Sequence, residues 1–175
     1  MEHLGFIRDM IDVKVLILFV TARLEYPVDV QQLYELCYQD ESVSYFDVCT
    51  AVPEMVESGH LTKTQDGRYV ITDKGREQGE ATESSIAYTL RTRAESAVKR
   101  YNRKVHRSSF VKTELIDREN GEFSARVRLD DEKGNLMVLE LMAPDKAQAR
   151  YLEKGFQEKA EILYNMLMTE LLDET

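Results

Sequence analysis

Lysine and arginine are the residues whose spacing in this sequence offers a definite chemistry, the binding of phosphate oxygens. Their side chains neutralise phosphates and release counterions, so clusters of them mark candidate nucleic-acid contacts. One group, the wing cations, surrounds an Asp-Gly dipeptide: Lys63, Arg68, Lys74 and Arg76. A second group, the basic stripe, recurs at helical spacing: Arg93, Arg100, Arg103, Lys104 and Arg107.

Both groups have other interpretations. The wing cations can be ordinary solvated turn residues. The basic stripe can face the acidic first half of the chain, within or between subunits, or it can be a solvated helix face. Like charges one turn apart destabilise a helix by roughly a few tenths of a kcal/mol per pair, so we expect a compensating partner for the stripe.

Residues that could perform catalysis or hold a metal are scattered. The two cysteines, Cys37 and Cys49, fall inside predicted helices and are interpreted as small buried hydrophobes. The histidines His3, His60 and His106 form no metal-ligand spacing with them. The chain has no phosphate-binding Gly-rich loop and no nucleophile motif. We therefore expect a noncatalytic protein without cofactor or metal.

The charge of the chain is unevenly distributed. The net charge is −9 over 175 residues. Residues 1–80 have 15 acidic and 7 basic side chains, whereas residues 81–175 have 17 and 16. From Leu24 to Thr62 there is no lysine or arginine and there are eight acids. This region is therefore expected to repel a polyanion.

Composition indicates a globular protein, because 43% of the residues are hydrophobic and 31% are charged. The length fits one ordinary domain or two small units. The longest apolar run, Val15 to Val20, is far shorter than the roughly 20 residues that span a bilayer, and no secretory cleavage site follows it. We expect no membrane partner and a cytoplasmic location.

Helix-capping signals organise residues 1–80. Residues that can begin a helix are Asp9, Asp29, Ser44 and Thr72. Pro53 lies inside the third predicted helix and predicts a kink or a broken turn, and Gly59 is the predicted C-cap. Alternating residues around Asp66-Gly67 predict a hairpin. Three helices followed by a hairpin are the plan of a winged helix-turn-helix.

At the hairpin the sequence resembles the MarR/PadR-like winged-helix regulators. The stretch "VESGHLTKTQDGRYVITDKGREQGE" matches their recurrent pattern at Gly67, Tyr69, Ile71, Thr72 and Gly75. The whole-chain layout is also similar to an uncharacterised bacterial winged-helix family known only as a domain of unknown function. The resemblance implies that the third helix enters the major groove and that the hairpin is the wing. Candidate contacts of that recognition helix are Ser42, Ser44, Tyr45 and Thr50.

The rest of the chain predicts an α+β fold. A connecting basic amphipathic helix is expected from about Glu83 to Val105. Three antiparallel strands follow, the third apolar enough to be covered on much of both faces, and a final helix runs from Asp145 to about Leu172. The predicted divisions are a winged-helix domain at 1–80, the connecting segment at 81–107 and the meander with its helix at 108–175.

The last third of the final helix is apolar on more than one side, which predicts burial against a partner subunit. We assign dimerisation to Ile162, Leu163, Met166, Leu167 and Leu171. The alternative is packing of this helix within the chain. Met137, Leu139, Met142 and Phe156 can line a pocket for a small apolar effector, or they can be a plain core.

Two functions follow from these features. The leading hypothesis is a dimeric, noncatalytic winged-helix regulator of transcription that binds double-stranded DNA. The alternative is a winged-helix protein-interaction module that does not bind DNA, which the acidic stretch favours. A ligand sensor is a third hypothesis.

Overall fold

The computed structural model describes residues 9–38, 43–119 and 121–172. The chain divides into two compact units, Met1–Arg103 and Lys104–Thr175. In chain order the described elements are α1 (Met10–Thr21), α2 (Val30–Cys37), α3 (Tyr45–Glu57), β1 (Leu61–Lys63), β2 (Tyr69–Ile71), α4 (Asp73–Thr82), α5 (Tyr88–Ser109), β3 (Val111–Asp117), β4 (Phe123–Asp131), β5 (Gly134–Ala143) and α6 (Lys146–Leu172). The predicted α+β class is confirmed, with the three-stranded antiparallel sheet and the long C-terminal helix.

The helices of the first unit begin where their capping residues predict. The Asp9 carboxylate accepts hydrogen bonds from two backbone N–H groups of α1. Both α2 and α3 begin with reciprocal capping boxes, Asp29 with Gln32 and Ser44 with Asp47. Each box satisfies two backbone donors that the helix itself leaves unpaired. These predictions held because capping depends on residues three positions apart.

The end of α3 is a Schellman motif. Ser58 is the C-cap, and Gly59 follows it with φ 76°. The N–H of Gly59 donates to Val56 at 3.0 Å and that of His60 to Met55 at 2.8 Å. Gly59, the predicted C-cap, therefore lies one residue beyond the observed C-cap, Ser58. Of the two outcomes predicted at Pro53, the broken turn is wrong, because α3 continues through this residue to Glu57. The kink stays a prediction.

The hairpin follows immediately and packs on the helices. β1 pairs antiparallel with β2, with Leu61 opposite Ile71. Gly67 supplies the left-handed turn conformation with φ 83°. An isolated bridge joins Val28 to Tyr69 on the outer strand. Fully buried side chains of this core come from α1, α2, α3 and the hairpin: Leu16, Ile17, Leu33, Val48, Val52 and Leu61.

The connecting helix begins later than predicted. A single 3-10 turn covers Glu83–Ser85, and Ile86 is extended, with φ −79° and ψ 132°. That conformation lets the Ile86 side chain enter the core, where it is buried. The α-helix starts only at Tyr88 and ends at Ser109. The α-helix therefore begins five residues after the predicted start at Glu83, and the intervening segment contributes one apolar residue to the core.

The second unit is an antiparallel meander packed against α6. Val127, Leu129 and Met137 of the sheet meet Phe156 and Ala160 of the helix. The prediction that β5 is covered on both faces is wrong for this unit. The other face of the strand leaves Val138 51% and Met142 60% exposed. In the described part of the unit, the core and α6 lie on a single face of the sheet, which explains the difference.

Candidate nucleic-acid interface

The predicted contacts of α3 are mostly engaged within the helix. Ser44 caps the helix and donates its hydroxyl to Asp47 at 2.7 Å. Thr50 donates to the carbonyl of Phe46 at 2.9 Å. Tyr45 is exposed, and its ring meets Tyr34 edge to face at 5.4 Å. Ser42 lies outside the described residues. Tyr45 is therefore the most available of the three described candidates.

The surface of α3 is acidic. Hydrogen bonds from Ser44 hold the pKa of Asp47 below its usual range, so this carboxylate is ionised at neutral pH. Glu54 forms an ion pair with Lys14 of α1 at 2.7 Å, which partly neutralises it. Glu57 is exposed at the C-terminal end of the helix. A cationic contact to phosphate must therefore come from other elements.

Phe46 is a surface residue that the sequence analysis did not select. Its ring is 76% exposed on α3, beside the exposed Tyr45. The inner face of the same helix is formed by Val48, Val52 and Met55. Phe46 lies outside that periodic stripe. An apolar residue off the buried face of a helix was the sequence signal that could have identified it. An exposed aromatic on an acidic helix suits contact with a protein surface.

The wing cations divide into two pairs. Lys63 lies with its ammonium 5.8 Å from the centre of the Tyr69 ring, and Arg68 pairs with Asp66 at 3.3 Å. On α4, Lys74 donates to the carbonyl of Ser58 at 2.7 Å and Arg76 to that of Ala22 at 3.1 Å. Both acceptors are helix C-caps.

Lys74 and Arg76 thus complement the negative ends of α3 and α1. Their heads still lie at the surface. They combine a structural role with an exposed charge, whereas Lys63 and Arg68 are held only within the hairpin. Lys63 and Arg68 are therefore the members of this group with the greater freedom to reach a ligand.

The basic stripe is exposed along α5 at all five positions. Among the described acids of the first unit, none forms an ion pair with Arg93, Arg100 or Arg103, and none of the second unit pairs with Lys104. Arg107 is different, because it meets Glu161 at 3.3 Å. The stripe therefore presents four cations whose charge the described acids do not pair.

Two hydrogen bonds of Asn102 hold the first-unit part of α5. Asn102 is 9% exposed and donates to the carbonyl of Arg23 at 2.9 Å. Its oxygen accepts from the N–H of Glu25 at 3.2 Å. Burial raises the pKa of Tyr101, and the Arg68 guanidinium opposes that rise. The charge of a wing residue thus acts on α5.

The predicted dimerisation residues lie on the part of α6 that follows its last buried residue, Ala160. Leu163 packs at the edge of the sheet core, while Ile162 is 59% and Leu171 77% exposed. Met166 and Leu167 are also exposed. Most of the apolar side chains in this segment are therefore exposed to solvent in the described chain.

The four effector-pocket candidates have different environments. Met137 and Phe156 are buried in the sheet core, Leu139 is half-buried beside them and Met142 is exposed. A separate cleft of about 450 Å³ lies in the second unit. Its lining is Arg107, Phe110, Leu129, Asp130, Asp131, Glu132, Lys133, Leu136, Glu161, Tyr164 and Asn165. None of the four candidates lines it.

Residues 9–38, 43–119 and 121–172 contain neither a metal-binding cluster nor a membrane-spanning helix. No three His, Cys, Asp or Glu side chains in these ranges are grouped so that they could hold a metal ion. Over the same ranges, no helix combines the length and apolarity that crossing a bilayer requires.

Comparison with known proteins assigns the chain to a family. A family model described as a domain of unknown function, DUF4364, matches residues 13–171, so the chain belongs to this family. Searches among curated proteins and among solved structures found no significant match. The match covers both compact units. It supports the layout expected of an uncharacterised family and leaves the relationship to MarR/PadR-like regulators as a proposal.

Proposed function

We propose that this member of the DUF4364 family is a noncatalytic, dimeric winged-helix regulator of the MarR/PadR-like type that binds double-stranded DNA. The observation that supports it best is the exposed basic stripe on α5. Four of its cations are without a described acidic partner in their own units. DNA phosphates would remove the mutual repulsion of these charges and gain the entropy of released counterions.

In this proposal the contacts with the DNA phosphates come from α5 and the wing. The charge of Arg68 reaches Tyr101, which lies on α5 beside stripe residue Arg100. Phosphate contacts fix the position of a protein on DNA but do not read its sequence. The helix α3, with Ser44 and Thr50 engaged internally, adds few base contacts. We therefore expect affinity that depends strongly on salt and a modest preference among sequences.

Dimerisation through the C-terminal segment of α6 would double the number of contacts. A two-fold dimer places two equivalent stripes on one duplex, and the two sets of contacts add their free energies. Exposed Ile162, Met166 and Leu171 supply the apolar surface for this association.

Charge reversal tests the stripe. Arg100→Glu with Arg103→Glu is expected to abolish binding to a fluorescent random-sequence duplex at about 100 mM salt, because two phosphate contacts per chain become repulsive. The control is Arg150→Glu with Lys154→Glu, which makes the same charge change at exposed positions of α6. If both double variants bind like the unsubstituted protein, the stripe is not a DNA contact.

The interaction module without DNA binding is the second candidate, and the surface of α3 favours it. Phe46 is exposed there among carboxylates, in a region without lysine or arginine from residue 24 to 62. Such a surface suits a basic, apolar protein segment. Retention of the folded protein on an array of Lys/Arg- and Leu-rich peptides, lost in Phe46→Ser, would support this candidate. Loss of DNA binding in the same variant would instead place α3 on the duplex.

A further inference from the structure

Strand β5 is an edge of its sheet with no described neighbour on its outer side. The described strands are ordered β3-β4-β5. β5 has ten residues, and no described backbone group outside the sheet bonds to it. An edge strand presents a row of unpaired N–H and C=O groups, which is a template for another strand.

The two edges of the sheet differ in composition. On β3 the charged residues Lys112, Glu114 and Asp117 lie along seven positions, and charges of this kind discourage pairing. On β5 the sole charged residue is Glu140, whose carboxylate is held by Arg118 and Arg126, each at 3.0 Å. The β5 edge therefore lacks the protection that the β3 edge has.

We propose that β5 pairs antiparallel with β5 of a second copy of this chain, which joins the two meanders into one six-stranded sheet. Antiparallel pairing of identical strands has two-fold symmetry and closes after two chains. Pairing of β5 with β3 of another copy would be open-ended. A centre near Leu139 would place Met137 opposite Leu141 of the second copy, apolar against apolar.

The C-terminal segment of α6 is a second exposed apolar surface of the same unit. Leu163 and Tyr164 pack against the core cluster that includes Met137 of β5, and exposed apolar residues lie on either side of them along the helix. Ten exposed apolar side chains lie on β5 and this segment: Leu136, Val138, Leu141, Met142, Ile162, Met166, Leu167, Met168, Leu171 and Leu172. Leu136, Val138 and Met142 lie on the face of β5 away from α6, so strand pairing alone would cover them, with Leu136 opposite Met142 of the second copy.

Hydrogen exchange combined with mass measurement tests the pairing, without DNA, on the whole chain at micromolar concentration. In a free edge strand, alternate amides face away from the sheet and exchange fast. The proposal predicts a dimer in which β5 amides of both orientations are protected. A monomer overturns the proposal, whether or not β5 is protected. A dimer whose outward β5 amides exchange fast also overturns it, since α6 alone would then form the interface.

Substitution supplies the second arm of the test. Val138→Lys with Met142→Lys is expected to raise the dimer dissociation constant about 100-fold or more, because charges would enter the interface. Both side chains are exposed in the single chain, so its fold should tolerate them. The control Tyr151→Lys changes a still more exposed residue on α6 and should leave the dimer intact. An unchanged dissociation constant in the double variant would contradict the pairing.

The inference specifies the proposed dimer but is independent of DNA binding. A β5-paired dimer that ignores DNA would refute the proposed function alone. A monomer that binds DNA would refute the pairing alone.

Discussion

Replacing Gly75 with alanine should loosen the packing between the β1–β2 hairpin and α4. Gly75 lies in the first turn of α4, where its N–H donates to the Thr72 hydroxyl at 3.1 Å. A Cβ at this position would lie 2.2 Å from the carbonyl oxygen of His60 and 2.8 Å from a side-chain carbon of Ile71. The first of these atoms is backbone, so it cannot move aside by a rotamer change. Only a hydrogen atom fits at this position, which explains why the hairpin motif has a glycine here.

The cost can be worked from the contacts that must separate. Moving α4 away by about 1 Å strains packing at about 1–3 kcal/mol. It also weakens the bonds that the His60 carbonyl accepts from the N–H and hydroxyl of Thr72, both at 3.1 Å. Each is worth about 0.5–1.5 kcal/mol. The better helix propensity of alanine offsets up to about 1 kcal/mol. We expect a net loss of about 2–4 kcal/mol, or roughly 4–16 °C in Tm.

Thermal and urea unfolding followed by circular dichroism measure this loss. The matched control is Gly155→Ala on α6, where an added Cβ meets no atom within 4 Å. This variant should be as stable as the unsubstituted protein or more stable by about 0.5–1 kcal/mol. If Gly75→Ala unfolds like Gly155→Ala, the close approach of α4 to the His60 carbonyl does not exist and the reasoning fails.

Two further predictions concern the first unit. Asn102→Ala leaves a backbone donor and a backbone acceptor without their partner, so urea unfolding should show a loss of about 1–3 kcal/mol, whereas the exposed Thr92→Ala on the same helix should cost far less. Burial and two neighbouring lysines hold the pKa of His60 below its usual value. The folded state therefore resists protonation, and stability should fall as pH drops through about 6.5, the unfolded value. His60→Gln should lessen this acid loss in melts at pH 7.5 and 5.5; an identical loss in the variant would contradict the assignment.

Local signals in the sequence predicted most of the elements. The boxes Asp29–Gln32 and Ser44–Asp47 and the hairpin at Gly67 involve residues a few positions apart, and these features formed where expected. Features that depend on tertiary contacts were harder to predict from the sequence. The helix α5 starts later than predicted, after the buried residue Ile86, and no sequence pattern within the helix indicates this start.

The candidate interface was predictable in part. Helical spacing alone placed the stripe on α5, and the structure shows those side chains exposed. Sequence did not predict that Lys74 and Arg76 reach the carbonyls of Ser58 and Ala22, because these partners lie 16 and 54 residues away. The exposure of β5 was missed for a related reason. An apolar strand can be buried within its own chain or against a second chain, and composition does not distinguish these two cases.

The salt dependence of DNA binding tests the central claim most directly. Affinity of the whole protein for random-sequence duplex DNA would be measured between about 50 and 200 mM salt, with selection of preferred sequences at about 100 mM. If the stripe and wing bind phosphates, the logarithm of the affinity falls linearly with the logarithm of salt concentration, with a slope of about −0.9 per phosphate contact, and selection recovers a two-fold symmetric motif of modest specificity. A folded protein that fails to bind at the lowest salt, or whose binding is insensitive to salt, would contradict the claim.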